Sequence, residues 1–197
     1  MGEQTIIKEQ EPRYIFKICL IGDGGVGKTC IARRLCFNTF SVNTQLTVGI
    51  DFYTYDIPII IKKEECFVRL SIWDFGGQEQ FKTLFKYYIN GANGIFLIFD
   101  LLRMESLIKL DWWYDKIIQH RLDDSPKILV GTKLDLAQKE DKQYKVDRII
   151  VEQFLKNHDE KDYIETSSKD NVNIQNVFID IVKKILDSHG FIYEKIG

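Results

Sequence analysis

The chain lacks long apolar runs: none approaches the ~18 residues that a membrane span needs. It also lacks an excess of either charge, with 27 Lys+Arg against 29 Asp+Glu and a net charge of −2. Nucleic acid is therefore not expected as a partner, because binding it calls for a basic excess that neutralises phosphates. Proline is scarce (3 residues) and glycine ordinary (13), which excludes collagen-like and disordered classes. Histidine occurs 3 times, and the 4 cysteines, at 19, 30, 36 and 66, include no Cys-x-x-Cys pair. Buried thiols in a reducing compartment are expected, not metal ligands. The N-terminus has neither the basic nor the apolar region of a signal peptide. Ile6 stands where a myristoylation site needs Ser or Thr. The last cysteine is Cys66, so no lipid anchor on a terminal cysteine is expected. These absences predict a cytoplasmic protein that reaches a membrane only through a partner.

What is present is a chain of 197 residues, 45% hydrophobic, long enough for one domain with its own core. Residues 1–13 are polar and read as a tail, 14–189 as the domain, and 190–197 as a short second tail. The apolar stretch Tyr14 to Ile21 predicts a strand, followed by a glycine-rich turn and a helical pattern. Residues 50–61 and 66–73 are β-branched and aromatic around a charged spacer at 62–65, the pattern of a hairpin. The continuous apolar run 95–99 predicts a strand buried on both faces, and Lys-Ile-Leu-Val-Gly at 127–131 predicts another. Helices are predicted over 105–121, 144–157 and 174–186, with a short strand at 163–165. Strands alternating with helices give the expected fold. It is an α/β fold: a doubly wound, mostly parallel six-stranded sheet with one antiparallel hairpin and helices on both faces.

The glycine-rich turn carries chemistry. Gly22-Asp23-Gly24-Gly25-Val26-Gly27-Lys28-Thr29 fits the pattern Gly-x-x-x-x-Gly-Lys-Thr between a strand and a helix. Glycines let backbone N–H groups face inward and cradle phosphate oxygens at the positive end of the helix dipole. Lys28 supplies a charge to the terminal phosphates, and the Thr29 hydroxyl is a ligand for Mg²⁺. The motif predicts a P-loop NTPase that binds a nucleotide, without naming the base.

Four further segments resemble those of Ras-superfamily small GTPases, most closely the Rab branch. Thr47-Val48-Gly49-Ile50-Asp51-Phe52, 19 residues past Lys28, resembles switch I. Trp73-Asp74-Phe75-Gly76-Gly77-Gln78-Glu79 resembles the start of switch II. Gly131-Thr132-Lys133-Leu134-Asp135 resembles the guanine-specificity motif, and Glu165-Thr166-Ser167-Ser168-Lys169 the last base-contacting loop. With the phosphate loop, five motifs stand in the family's order over residues 14 to about 188.

The resemblance implies a switch that binds GTP or GDP with Mg²⁺, signals or serves vesicle traffic, and acts as a monomer. An exchange factor, an activating protein and effectors are its implied partners. Asp135 would accept the guanine N1–H and amine, a pairing that adenine cannot make. Lys133 would lie along the ring, Phe40 cover its edge, and Ser168 offer its N–H to the carbonyl, with Thr132, Ser167, Lys169 and Cys30 nearby. Thr29 and Thr47 would ligate Mg²⁺ directly and Asp74 through a water. The Gly77 N–H would meet the γ-phosphate. Gln78 would orient the attacking water beside Lys28, with Gly24 leaving room for it. Phe52, Trp73 and Tyr88 resemble the family's effector-facing aromatics. Arg33 and Arg34 fall in the first helix and Arg69 in a strand, so no arginine is expected in cis. Hydrolysis is then expected to be slow, on the order of 10⁻⁴ to 10⁻² s⁻¹ without a partner.

The chain departs from the family pattern at named places. Thr132 replaces the commoner Asn, as in the Rho branch, with a weaker tie to the phosphate loop expected. Phe75-Gly76 replaces Thr-Ala, and the pair Gly76-Gly77 predicts a mobile start to switch II. Positions 41–46 hold no tyrosine to cover the phosphates, so a more open site is expected. Within Trp112-Trp113-Tyr114, one tryptophan is expected to face the core and the other a surface. Two other functions are open to such a chain. A guanine-nucleotide scaffold without hydrolysis leaves Gln78 and Thr47 without a task, and an ATP-dependent P-loop enzyme leaves Asp135 without one.

Overall fold

The computed structural model describes residues 11–42, 45–139 and 145–197. The expected tail 1–13 falls mostly outside the described residues, as do position 144 of the predicted helix and positions 43–44 of switch I. The strands are β1 (Tyr14–Ile21), β2 (Ile50–Ile61), β3 (Glu64–Phe75), β4 (Gly94–Asp100), β5 (Lys127–Thr132), β6 (Tyr163–Glu165) and β7 (Lys195–Ile196). The helices are α1 (Lys28–Phe37), α2 (Lys82–Tyr88), α3 (Met104–Ile108), α4 (Leu110–Gln119), α5 (Leu134–Ala137), α6 (Arg148–Asn157) and α7 (Ile174–Ser188). A 3₁₀ turn, Glu79–Phe81, leads into α2.

The sheet order is β6-β5-β4-β1-β3-β2-β7. β1 pairs in parallel with both β3 and β4, so the chain runs first to one side of β1 and then to the other. Such a reversal opens a crevice at the carboxyl end of the strand. Gly22 to Thr29 begin there. β2 and β3 form the antiparallel hairpin, and Lys62 and Lys63 both take positive φ in its two-residue turn. Glu64 and Glu65, expected in the turn, belong to β3 instead. Lysine serves because a tight hairpin turn of this hand needs two positive-φ residues, not glycine as such.

Alternate residues of each central strand go to opposite faces. Ile18 and Leu20 of β1, Phe96 and Ile98 of β4, and Val130 of β5 pack with Ile31 and Leu35 of α1 and Val177, Phe178 and Ile181 of α7. Cys19, Ile21, Ile95, Leu97, Phe99 and Leu129 pack the other way, against Phe85 of α2, Trp113 and Ile117 of α4, and Phe154 of α6. The predicted helix 105–121 is interrupted at Lys109 between α3 and α4. α6 begins at Arg148 because the Asp147 carboxylate caps it, accepting the Ile149 N–H at 2.9 Å.

Among the described residues the sheet has seven strands, not the six expected. Residues 190–197, expected as a tail, lie on the fold: Lys195–Ile196 pairs antiparallel with Ile59 and Ile60 at the edge of β2. Phe191 stacks on Tyr14 with ring centroids 4.6 Å apart. Two residues are too few to read as a strand; backbone pairing and the Phe191 ring together supply the attachment.

Candidate functional site

At the carboxyl end of β1 lies a cavity of about 250 Å³. Its wall draws on every segment singled out in the sequence. Gly24, Gly25, Gly27, Lys28, Thr29 and Cys30 come from the phosphate loop and α1. Phe40 and Thr47 come from the loop before β2, and Gly77 and Gln78 from the loop after β3. Thr132, Lys133 and Asp135 follow β5, and Ser168 and Lys169 follow β6. Gly22, Asp23, Val26, Asp74 and Ser167 stand behind this wall and hold it.

The phosphate loop is shaped by its glycines. Gly25 and Gly27 take φ +72° and +102°, values that a side chain strains. Lys28 is buried, and its ammonium donates to the carbonyls of Gly22 (2.9 Å) and Asp23 (2.8 Å). Burial pulls its pKa down to about 8, although Asp74 and Asp23 pull the other way. The lysine is thus a cation held in a desolvated place, short of negative charge.

Three oxygens converge beside it. The Thr29 hydroxyl donates to Asp74 Oδ2 and lies 2.7 Å from the Thr47 hydroxyl. Thr47 Oγ1 lies 3.4 Å from the same carboxylate oxygen. Asp74 Oδ1 is buried without a hydrogen-bond partner, and burial raises the carboxyl pKa to about 6, against the opposing effects of the Thr29 bond and Lys28. A buried carboxylate with one oxygen unpartnered and two hydroxyls converging on the other fits a hard cation such as Mg²⁺.

The start of switch II is packed against this centre. A Cβ on Gly77 would fall 2.3 Å from the Gly22 carbonyl oxygen, and one on Gly76 would fall 2.7 Å from the Thr47 carbonyl oxygen. Gly76 also donates its N–H to the Gly49 carbonyl at 2.8 Å. Both glycines are there because backbones approach closely, a different reason from the mobility expected of them. Phe75 is buried and meets Phe85 of α2 at 5.8 Å, so it anchors this segment from below. Gln78 faces the phosphate loop: a Cβ on Gly24 would lie 3.7 Å from its Cγ.

The base-side loops are braced by motif residues and also by an arginine that no motif marks. Asp135 is buried, and its Oδ1 accepts the Ser167 hydroxyl at 2.8 Å. Lys133 takes φ +63°, and its ammonium meets Asp100 at 2.7 Å. Arg34, weighed above only as a cis-arginine, donates from Nε to the Ser168 carbonyl (2.6 Å) and from Nη2 to that of Lys169 (3.1 Å). Arg103 reaches the loop itself, donating to the Gly24 carbonyl at 2.8 Å. A charged residue outside a motif gives no sequence signal of its partner, so only the fold reveals these contacts.

The Ras family model matches residues 17–187. The chain belongs to the Ras family. It is 37% identical over 172 residues to "Ras-related protein RABE1d" of Arabidopsis thaliana, covering 87% of this chain and 76% of that protein. It is 40% identical over 172 residues to "GTP-binding protein yptV2" of Volvox carteri, with the same coverages. To "Ras-related protein Rab-30" of Homo sapiens it is 35% identical over 173 residues, 88% of this chain and 81% of that protein. The likeness places this Ras-family protein in the Rab branch as a small GTP-binding switch. Its Phe52, Trp73 and Tyr88 lie together on one surface: Phe52 and Trp73 form a cross-strand pair with centroids 4.6 Å apart, and Tyr88 lies 5.9 Å from Trp73. No helix among the described residues is long and apolar enough to cross a membrane.

Proposed function

We propose that this Ras-family protein binds GTP and GDP with Mg²⁺ and slowly hydrolyses GTP to GDP and phosphate. The reading is carried by one observation: a single cavity is lined by the phosphate loop, Thr47, Gln78 and the guanine motif together. Guanine is selected by Asp135, whose Ser167 bond uses one oxygen and leaves acceptor capacity for the base. A buried carboxylate facing the wrong base loses its partners, which makes the selection strong. Thr29, Thr47 and Asp74 would hold Mg²⁺, whose charge neutralises the phosphates during transfer. Lys28 and the loop N–H groups bind the phosphates, and Gln78 orients water toward the γ-phosphorus. Thr47 and Gly77 report the γ-phosphate, ordering both switch segments until hydrolysis releases them. Effectors then read the Phe52, Trp73 and Tyr88 surface, and exchange and activating proteins set the nucleotide state.

Single-turnover phosphate release from loaded protein tests the reading. Wild type is expected to release phosphate slowly, Gln78→Leu at least about tenfold more slowly, and excess ATP to leave bound GTP in place. Absent release from wild type would make the protein a guanine-nucleotide scaffold. Displacement by ATP would overturn the base assignment.

A further inference from the structure

Arg103, at the turn from β4 into α3, belongs to none of the five motifs, yet it closes a ring of contacts around Gly24. Its Nη2 donates to the Gly24 carbonyl at 2.8 Å and lies 3.4 Å from Asp23 Oδ2. Asp23 Oδ1 accepts the Gly24 N–H at 2.8 Å, and Lys109 approaches Oδ2 at 3.3 Å. Both polar groups of Gly24 are therefore held by side chains. The turn that delivers Arg103 is fixed as well. The Ser106 hydroxyl donates to the Arg103 carbonyl at 2.6 Å and accepts the Asp100 N–H at 2.9 Å. Arg103 Nε is buried with no hydrogen-bond partner among the described residues, a cost that the Gly24 contact has to offset.

The peptide unit turns this contact into a directional effect. Its C=O and N–H point opposite ways when the bond is trans, and the described chain contains no cis bond. Arg103 does not line the cavity, whereas Gly25 does. With the Gly24 carbonyl held toward Arg103, the Gly25 N–H faces the other way, toward the phosphate-binding side. A guanidinium on the carbonyl also polarises that N–H, as in other charge-assisted hydrogen bonds.

We infer that Arg103 is a positioning residue for GTP hydrolysis, aiming and polarising the Gly25 N–H toward the phosphates. This rests on the hydrolysis proposed above. In that reaction water adds to the γ-phosphorus, and the bond to the β–γ bridging oxygen breaks with its electron pair staying on GDP. The water's proton leaves with the phosphate or to solvent. Negative charge thus grows on the leaving diphosphate. A polarised donor there favours the transition state and GDP over bound GTP.

The test compares wild type, Arg103→Ala and Arg103→Lys by single-turnover hydrolysis and by release of fluorescent GDP and of a fluorescent non-hydrolysable GTP analogue. Arg103→Ala is expected to slow hydrolysis about fivefold or more and to speed GDP release about fivefold, with analogue release changed less than about twofold. Arg103→Lys, a cationic donor on a flexible stem, is expected to recover most of both effects. Equal acceleration of GDP and analogue release would mark a purely structural role and overturn the inference, as would wild-type hydrolysis in Arg103→Ala. If wild type itself shows no hydrolysis, the functional proposal fails, and the ratio of the two release rates still decides Arg103. Should Arg103→Ala not fold, Arg103→Gln keeps a neutral donor, and its release ratio is expected to shift in the same direction.

Discussion

The Thr132 hydroxyl lies 2.5 Å from the carbonyl of Val26 in the phosphate loop and 3.0 Å from that of Phe99 in β4. One side chain therefore joins the loop that follows β5 to the loop that follows β1, across the floor of the cavity. Thr132 is itself buried. The hydroxyl carries a single hydrogen, so it satisfies one of these carbonyls at a time, where an asparagine amide has two. The tie between base loop and phosphate loop exists in this chain with less hydrogen-bonding capacity behind it.

Removing the hydroxyl while keeping the shape isolates this tie. Thr132→Val is expected to cost about 1–1.5 kcal/mol of bound-state stabilisation, because two buried carbonyls lose their shared donor. That corresponds to roughly tenfold faster release of fluorescent GDP. Release within twofold of wild type would mean that the two loops are held together without Thr132.

Asp135→Asn exchanges an acceptor for an amide that donates at one end. Guanine then faces a donor against its own amine, whereas xanthine, with oxygen at that position, is matched. GDP affinity is expected to fall at least about a hundredfold and xanthosine diphosphate affinity to rise, both read by competition against a fluorescent nucleotide. The Ser167 hydroxyl bond persists with an amide oxygen, so folding should be little affected. Unchanged GDP affinity in this variant would remove Asp135 from base recognition.

Much of this architecture is legible in the sequence because periodicity and motif order are local. The runs at 95–99 and 127–131 read as buried strands because no polar residue interrupts 95–99 or follows Lys127 before Thr132, and β4 and β5 are buried throughout. The phosphate loop is legible because glycines and a lysine at fixed spacing have few other uses. What stays hidden is pairing at a distance. Nothing around Arg34 announces the carbonyls of Ser168 and Lys169, and nothing around Arg103 announces Gly24. Gly76 and Gly77 were legible as glycines, but not as a close approach of backbones. β7 was hidden because two residues are too few to show alternation.

The tryptophan pair divides as its helical positions dictate. Trp113 is 1% exposed and meets Phe85 of α2 at 5.2 Å. Trp112 is half-buried and lies under the Lys82 ammonium, 4.3 Å from its ring centre. Trp113→Ala should cost about 3–5 kcal/mol in denaturant unfolding, since a large cavity opens in a packed core. Trp112→Ala loses partial burial and a cation–π contact and should cost about 1 kcal/mol or slightly more. Equal losses at the two positions would contradict this division.

The edge of β2 is covered by the segment that follows α7, and this gives a last expectation. Glu194 donates its N–H to the Ile60 carbonyl at 2.8 Å, and Gly197 donates to that of Pro58 at 2.9 Å. Phe191, Tyr193 and Ile196 pack against the core from this side. Deleting 191–197 removes their apolar contacts but returns the entropy of seven ordered residues, so the net loss should be only about 1–3 kcal/mol. None of these residues lines the nucleotide cavity, so GDP affinity should stay within about twofold. The deletion also uncovers N–H and C=O groups of an edge strand, which favours pairing with other chains. A lower unfolding midpoint, unchanged GDP affinity and concentration-dependent light scattering are the expected combination. An unchanged midpoint would mean that the strand lies on the fold without stabilising it. A large fall in GDP affinity would mean that this edge and the nucleotide site are coupled through β2 and β3.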